Sequence, residues 1–344
     1  MLFTSLSTCF DSTLLFCTPK CTSLLHARKI IQYKLYYVKH FFLLVDYLLI
    51  SLFNKPMIIN VSGRTDVVAY YMDWFVNRWN EGFFDVRNPF NPKLVSRICV
   101  SDIDMIVFCT KYPIPLLDTI HLFSVPIQLQ VTITGYFDDI EPNVPNKKEV
   151  IECIKQLSSY IGKENICVRY DPIILNSKYT ADYHVRAFHK LCTILNGSVS
   201  KMIVSFVDDY KNVRNNHLIY HNPSNEEYLM IKGAFEKSAA ENNLNIVSCM
   251  EKDYAIGDPH DCCVSIKYAF ERTGKLLKEW KARDCQCVSM VDVGAYNSCL
   301  HGCKYCYANY DSKQIAKNYK LHNSKSSLLI GQLGLDDEIK VRKK

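Results

Sequence analysis

The chain has 344 residues, 48% of them hydrophobic, enough for one large domain or two small ones with a substantial buried core. Its formal net charge is +6, but residues 1–56 hold six Lys and Arg against two Asp and Glu, so that segment supplies +4 and the rest only +2. A body so near neutrality has no basic stripe to hold nucleic acid, and sixteen cysteines in a long, core-rich chain do not describe the disulfide framework of a small secreted domain.

Residues 1–56 read as foreign to the rest of the chain. They contain no Gly, and their apolar run Phe41 to Phe53 is 13 residues long with Asp46 inside it, too short for a membrane span. No basic region precedes an apolar run near the start, so a signal peptide is not indicated. The preferred reading is an extension from a start codon placed too far upstream, with Met57 the first native residue; an interfacial anchor is the alternative.

From Met57 short Ile- and Val-rich runs recur: 57–62, 104–110, 127–134, 165–172, 201–208 and 244–249. They read as strands buried on both faces. Helical patterns separate several of them. Thr65 or Asp66 opens one with Val67, Tyr71, Trp74, Phe75 and Trp79 on one face and Gly82 at its end. Asn146 opens another that Gly162 closes, Thr180 a third that ends before Gly197, and Ser224 with Glu227 forms a capping box for a fourth. Residues 86–100 read as two short strands around an Asn-Pro-rich turn.

Strand–helix alternation predicts an α/β fold with parallel strands. About six units favour a partial or complete β/α barrel, TIM-barrel-like, over an open sheet. VSGRTD comes after the first strand in place of a dinucleotide glycine fingerprint. In a parallel barrel chemistry gathers at the C-terminal strand ends. Arg64, Arg169, Asp171 and Asp208 are the candidate catalytic residues there, with Thr132 and Ser205 as cofactor-binding candidates. Arg169 and Asp171, two apart on a strand, share a face; they can hold a polar ligand or satisfy each other. Asp66 and Thr134 read equally well as helix caps.

Eight cysteines fall between Cys249 and Cys306, whereas those at 99, 109, 153, 167 and 192 stand singly in apolar patterns and read as small hydrophobes. Cys299, Cys303 and Cys306 have the spacing C-x3-C-x2-C, which lets one tight loop present three sulfurs to a 4Fe–4S cluster and leave one iron open. Gly302 relieves crowding and Lys304 offers a charge to offset the cluster. Cys249, Cys263, Cys285 and Cys287 form a candidate second site, fully ligated, for another iron–sulfur cluster or for zinc. His260 and His301 flank cysteines and read as ligands or as their supports. Tyr305, beside the last cysteine, is a further cofactor-binding candidate.

HGCKYCYA resembles the cluster loop of the radical S-adenosylmethionine enzymes, and within them the spore photoproduct lyase branch. That resemblance implies a 4Fe–4S cluster whose open iron chelates S-adenosylmethionine, formation of a 5′-deoxyadenosyl radical, a partial six-unit β/α barrel, and a reductant such as ferredoxin or flavodoxin. Two features depart from it. The motif comes after the last strand rather than the first, and no Gly-Gly-Glu stretch succeeds the second strand. The body, through VSGRTD, RNPFNPK, RYDPI, DVGAYNSC and HGCKYCYAN, also resembles a bacterial family known only as domain of unknown function 1848. The resulting expectation is a cytoplasmic enzyme acting on a small molecule not identifiable from sequence, with no membrane span; the alternatives are an iron–sulfur protein that works without S-adenosylmethionine as Lewis acid or electron carrier, and a non-enzymatic barrel stapled by zinc or clusters that binds a ligand or partner. The chain's parts are an extension over 1–56, a barrel-like domain over 57–250, a cysteine-rich segment packing on it over 251–334, and a polar, loose tail over 335–344.

Overall fold

The computed structural model describes residues 56–280 and 285–343; the extension expected over 1–56 lies, apart from Pro56, outside them. The Ile- and Val-rich runs become strands because each residue's two faces have an apolar layer to enter. In chain order β1 (Met57–Val61) precedes the short helix α1 (Val67–Tyr70) and α2 (Met72–Glu81). A hairpin is next, β2 (Phe83–Arg87) and β3 (Leu94–Cys99), then β4 (Ile103–Thr110), α3 (Leu116–Thr119), β5 (Ile127–Thr132) and α4 (Lys147–Ile161). After these come β6 (Ile166–Ile173), α5 (Ala181–Leu195), β7 (Lys201–Phe206), α6 (Lys211–Asn215), α7 (Asn225–Glu241) and β8 (Asn245–Ser248). The last described elements are α8 (Ile266–Thr273), β9 (Val291–Asp292), α9 (Ser312–Leu321) and β10 (Glu338–Val341).

Seven strands form one parallel sheet in the order β9-β1-β4-β5-β6-β7-β8. From β1 to β8 the order in space is the order in the chain, so the winding never reverses as it does in a dinucleotide-binding fold. The sheet does not close: it ends at four-residue β8 on one side and two-residue β9 on the other.

One face of the sheet packs against helices. Ile59, Val61, Phe108, Leu129, Val131 and Val168 meet Trp74 and Phe75 of α2, Ile154 and Leu157 of α4, Phe188 of α5 and Phe235 of α7 in one core. Phe188 and Phe235 stack with ring centres 3.8 Å apart. The opposite face, through Ile58, Met105, Val107, Cys167, Ile203 and Val247, packs against Cys262, Cys263, Val264, Cys287 and Val288 of the cysteine-rich segment. That segment covers the sheet as a third layer.

The caps read from sequence form as hydrogen bonds: Asn146 to Lys148, Thr180 to Tyr183, and the reciprocal Ser224–Glu227 box. Gly82 ends α2 at a positive φ that a side chain resists. The single helix predicted over 67–81 is two, broken where Tyr71 leaves helical geometry. The polar chain end is not loose; β10 pairs in parallel with β3, and Arg87 grips Asp337 through both carboxylate oxygens.

Candidate functional site

The parallel strands deliver their C-terminal ends to one rim, and a cavity of about 500 Å³ opens there. β9 organises one side of it. Asp292, set beside Asn60 of β1 by strand pairing, accepts from Ser62 Oγ at 2.7 Å, the Gly63 amide at 2.7 Å and the Gly294 amide at 2.8 Å. These bonds fix the VSGRTD turn. They leave Arg64 with its guanidinium 5.3 Å from the centre of the Tyr296 ring and 3.9 Å from Asp292.

The loop after β9 carries Cys299, Cys303 and Cys306, and all three line the cavity. Cys299 and Cys303 are buried, Cys306 half-buried. Asn309 closes the loop, accepting from the Cys299 amide at 3.3 Å and donating to Cys306 Sγ at 3.5 Å. The segment after β5 supports it: the Lys304 amide donates to Ile140 O at 3.0 Å, and Asn143 Nδ2 donates to Leu300 O at 2.9 Å. The break between α1 and α2 acquires a reason here. Adjacent tyrosines both reach the cysteine loop, Tyr70 OH to His301 Nδ1 at 2.9 Å and Tyr71 OH to Ser298 O at 2.5 Å.

Electrostatics set this loop apart. Burial pushes the Cys303 thiol up to about 12, with Lys111 opposing that rise. Burial and the neighbouring Asp66 push Cys299 well above the ordinary thiol range. Lys111 Nζ sits 2.8 Å from buried Glu141, which also accepts from Thr134 and from the Tyr305 hydroxyl. The cation beside Cys303 is therefore Lys111, and Lys304, the sequence candidate for that charge, is not among the lining residues.

Deeper in the cavity, β5 and β6 supply a polar floor. Gln130 donates to Gln128, and Arg169 Nη1 donates to Gln130 Oε1 at 3.0 Å and to Cys263 Sγ at 3.4 Å. Arg169 also pairs with Asp171 at 2.5 Å, so the two satisfy each other as one of the readings had it. Burial works against the guanidinium's charge, yet Asp171 and the nearby thiols raise its pKa well above the ordinary value. Around Cys263 the second set of thiols gathers. Cys262, Cys263 and Cys287 are buried in one cluster, and Cys249 and Cys285 pack against it.

All fourteen candidate residues line this one cavity: Arg64, Thr132, Arg169, Asp171, Ser205, Asp208, Tyr305, and the cysteines at 249, 263, 285, 287, 299, 303 and 306. Asp208 is on its exposed edge. Tyr305 has its hydroxyl committed to Glu141. Asp66 caps α1 as one reading had it, accepting from the Ala69 amide, and also receives the Lys111 amide and sits 2.8 Å from His301 Nε2. Thr134 is not a cap; it bonds Glu141. With Asp66 and Tyr70 on its two nitrogens, His301 is a support of the loop, while His260 is exposed and does not line the cavity. Among the described residues no group of three or more His, Cys, Asp or Glu side chains stands arranged as a ready metal site.

Asp292, Glu141 and Gln130 escaped the sequence reading. The DVG step at 292–294 was the available signal for the first, since an Asp with a glycine two residues on marks a turn with backbone amides to bind. Glu141 lies in a polar loop that looks like solvent-facing chain.

Fold and site together define a parallel α/β protein with a cysteine-lined cavity at its strand ends. The chain matches the model of a domain of unknown function (DUF1848) over residues 58–308 and belongs to that family. No curated protein and no solved structure matches it. Among the described residues no helix is long and apolar enough to cross a membrane.

Proposed function

We propose that this protein is an iron–sulfur enzyme of the radical S-adenosylmethionine type, with Cys299, Cys303 and Cys306 as the three ligands of a 4Fe–4S cluster. The observation that carries this reading is the return of a late cysteine loop to the rim where the strands end, into the cavity shared with Arg64, Thr132, Ser205 and Asp208. When bound, such a cluster supplies an open iron and one-electron reduction of the sulfonium. The chain's own part is to hold and shield. Lys111 offsets negative charge beside Cys303, and the His301–Asp66–Tyr70 contacts fix the loop. Buried Thr65, whose hydroxyl has no hydrogen-bond partner among the described residues, offers the cavity a polar group.

The partial barrel belongs with this proposal, supported by six strands in sequential order with helices on one face of the sheet. The unusual position of the motif also finds an explanation. β9 comes after these strands in the chain but lies at the β1 edge of the sheet, which supports reading the loop after it as the counterpart of a first-strand loop. The cavity volume suits a cofactor with a small substrate. A cytoplasmic location and an external reductant such as ferredoxin or flavodoxin accompany the reading.

A second reading, an iron–sulfur protein working without S-adenosylmethionine, draws on the turn after β4. It runs Thr110, Lys111, Tyr112, Pro113, with no Gly-Gly-Glu stretch to hold the cofactor's amino group. Anaerobic reconstitution with iron and sulfide, then addition of S-adenosylmethionine and dithionite, separates the two. Formation of 5′-deoxyadenosine that disappears in a Cys299→Ala/Cys303→Ala/Cys306→Ala chain is the expected result. A loaded cluster that never cleaves the cofactor leaves the second reading standing, and a chain whose iron uptake ignores the triple substitution overturns both.

A further inference from the structure

We propose that Cys249, Cys263, Cys285 and Cys287 form a second thiolate-metal centre, closed on all four corners, in the deep wall of the same cavity. The three elements that bring them together are far apart in the chain. Cys249 comes just after β8, Cys263 lies in the segment that covers the inner face of the sheet, and Cys285 and Cys287 enter on an extended stretch before β9. All four line the cavity and belong to one cluster, Cys263 and Cys287 buried within it and Cys249 and Cys285 packed against it.

Four thiolates around zinc at about 2.3 Å stand about 3.8 Å from one another. The thiols do not stand in that arrangement beforehand, so a divalent ion draws them together as four protons leave to solvent. The product carries a charge of about −2 whether it is a zinc tetrathiolate or a four-cysteine 4Fe–4S cluster. A buried dianion needs a cation, and Arg169 Nη1 already lies 3.4 Å from Cys263 Sγ. Cys262 is the fifth thiol nearby, but it does not line the cavity, so it is left out of the ligand set.

Being closed, this centre differs in kind from the Cys299 loop: it has no position for an incoming ligand, which suits structure or electron transfer. It does not depend on what the Cys299 loop binds, and the test removes that loop's thiols. Co²⁺ alone is titrated anaerobically into the reduced Cys299→Ala/Cys303→Ala/Cys306→Ala chain. Uptake of about one ion per chain is expected, with the intense sulfur charge-transfer and tetrahedral ligand-field bands of a tetrathiolate. Adding Cys263→Ser and Cys287→Ser abolishes that signal, Cys262→Ser leaves it, and Cys287→His keeps the ion with a band shifted by one nitrogen ligand. Iron with sulfide, offered to the same chain, distinguishes a cluster from a single ion; either occupant supports the centre. If the triple variant melts early, Cys263→Ser/Cys287→Ser in a chain with an intact loop answers by subtraction. No uptake of cobalt or of iron, a six-coordinate spectrum, or loss of uptake in Cys262→Ser overturns the proposal.

Discussion

His184 shows what one buried side chain contributes away from the cavity. Both of its nitrogens are engaged, Nδ1 with Tyr170 OH and Nε2 with Ile174 O, each at 2.9 Å, and it is fully buried. Burial drives its pKa down to about 4 from 6.5, so the folded chain keeps the ring neutral where the unfolded chain protonates it. Between those two values the unfolded state binds more protons, and stability falls as pH falls. Above 6.5 the contribution is complete, and below 4 nothing further is lost. The swing is on the order of 3 kcal/mol. Urea unfolding at pH 7 and pH 4 is expected to show a larger loss in the parent than in His184→Gln, whose amide still donates to Ile174; equal losses would contradict the assignment.

At the scale of elements, the two-residue strand β9 and the turn after it hold the cavity rim in register. A Cβ built on Gly294 comes within 2.0 Å of Ser62 Oγ and 2.8 Å of Ser62 Cβ, and that hydroxyl is the one that bonds Asp292. Gly294→Ala is therefore expected to destabilise by about 1–3 kcal/mol through overpacking, with reduced metal loading at the Cys299 loop. Ser62→Gly in the same chain clears the space and is expected to recover part of the loss. A double-mutant cycle in denaturant measures this, and additive effects would deny the clash. Elements of this kind explain what was legible beforehand. Strands β1 and β4–β8 and the caps at Asn146, Thr180 and Ser224 are written locally, as periodicity and as a polar residue before an apolar stripe. β9 is too short to carry a period. β10 is exposed throughout its four residues and has no apolar face to read. The cysteine spacing announced the loop, whereas its neighbours Asp292, Lys111 and Glu141 come from other elements, and no local pattern joins them.

For the molecule as a whole, the sheet grows by neighbours except at one joint. From β4 to β8 each strand pairs with the next of the sheet's strands in the chain, but β9 reaches β1 across 232 residues. A contact so distant in sequence yields its reward only after a large loop has been closed. β9 is thus expected to dock late, after the rate-limiting barrier to folding. Val291→Ala and Asp292→Ala should speed unfolding while leaving the folding arm of the chevron almost unchanged. A marked slowing of refolding would instead place β9 in the folding nucleus.

The same arrangement orders events on the ribosome. Strands β1 to β8 are synthesised before Cys285, Cys287 and the Cys299 loop, so most of the sheet is available to assemble while these thiols are still untranslated. Sulfurs that would scavenge stray metal from an unfinished polypeptide emerge instead onto a seat whose polar floor and flanking cations are already in place. If the proposed centres form, delivery of iron or zinc is one of the closing acts of biogenesis, because a nascent chain halted before Cys285 lacks five of the seven thiols they need.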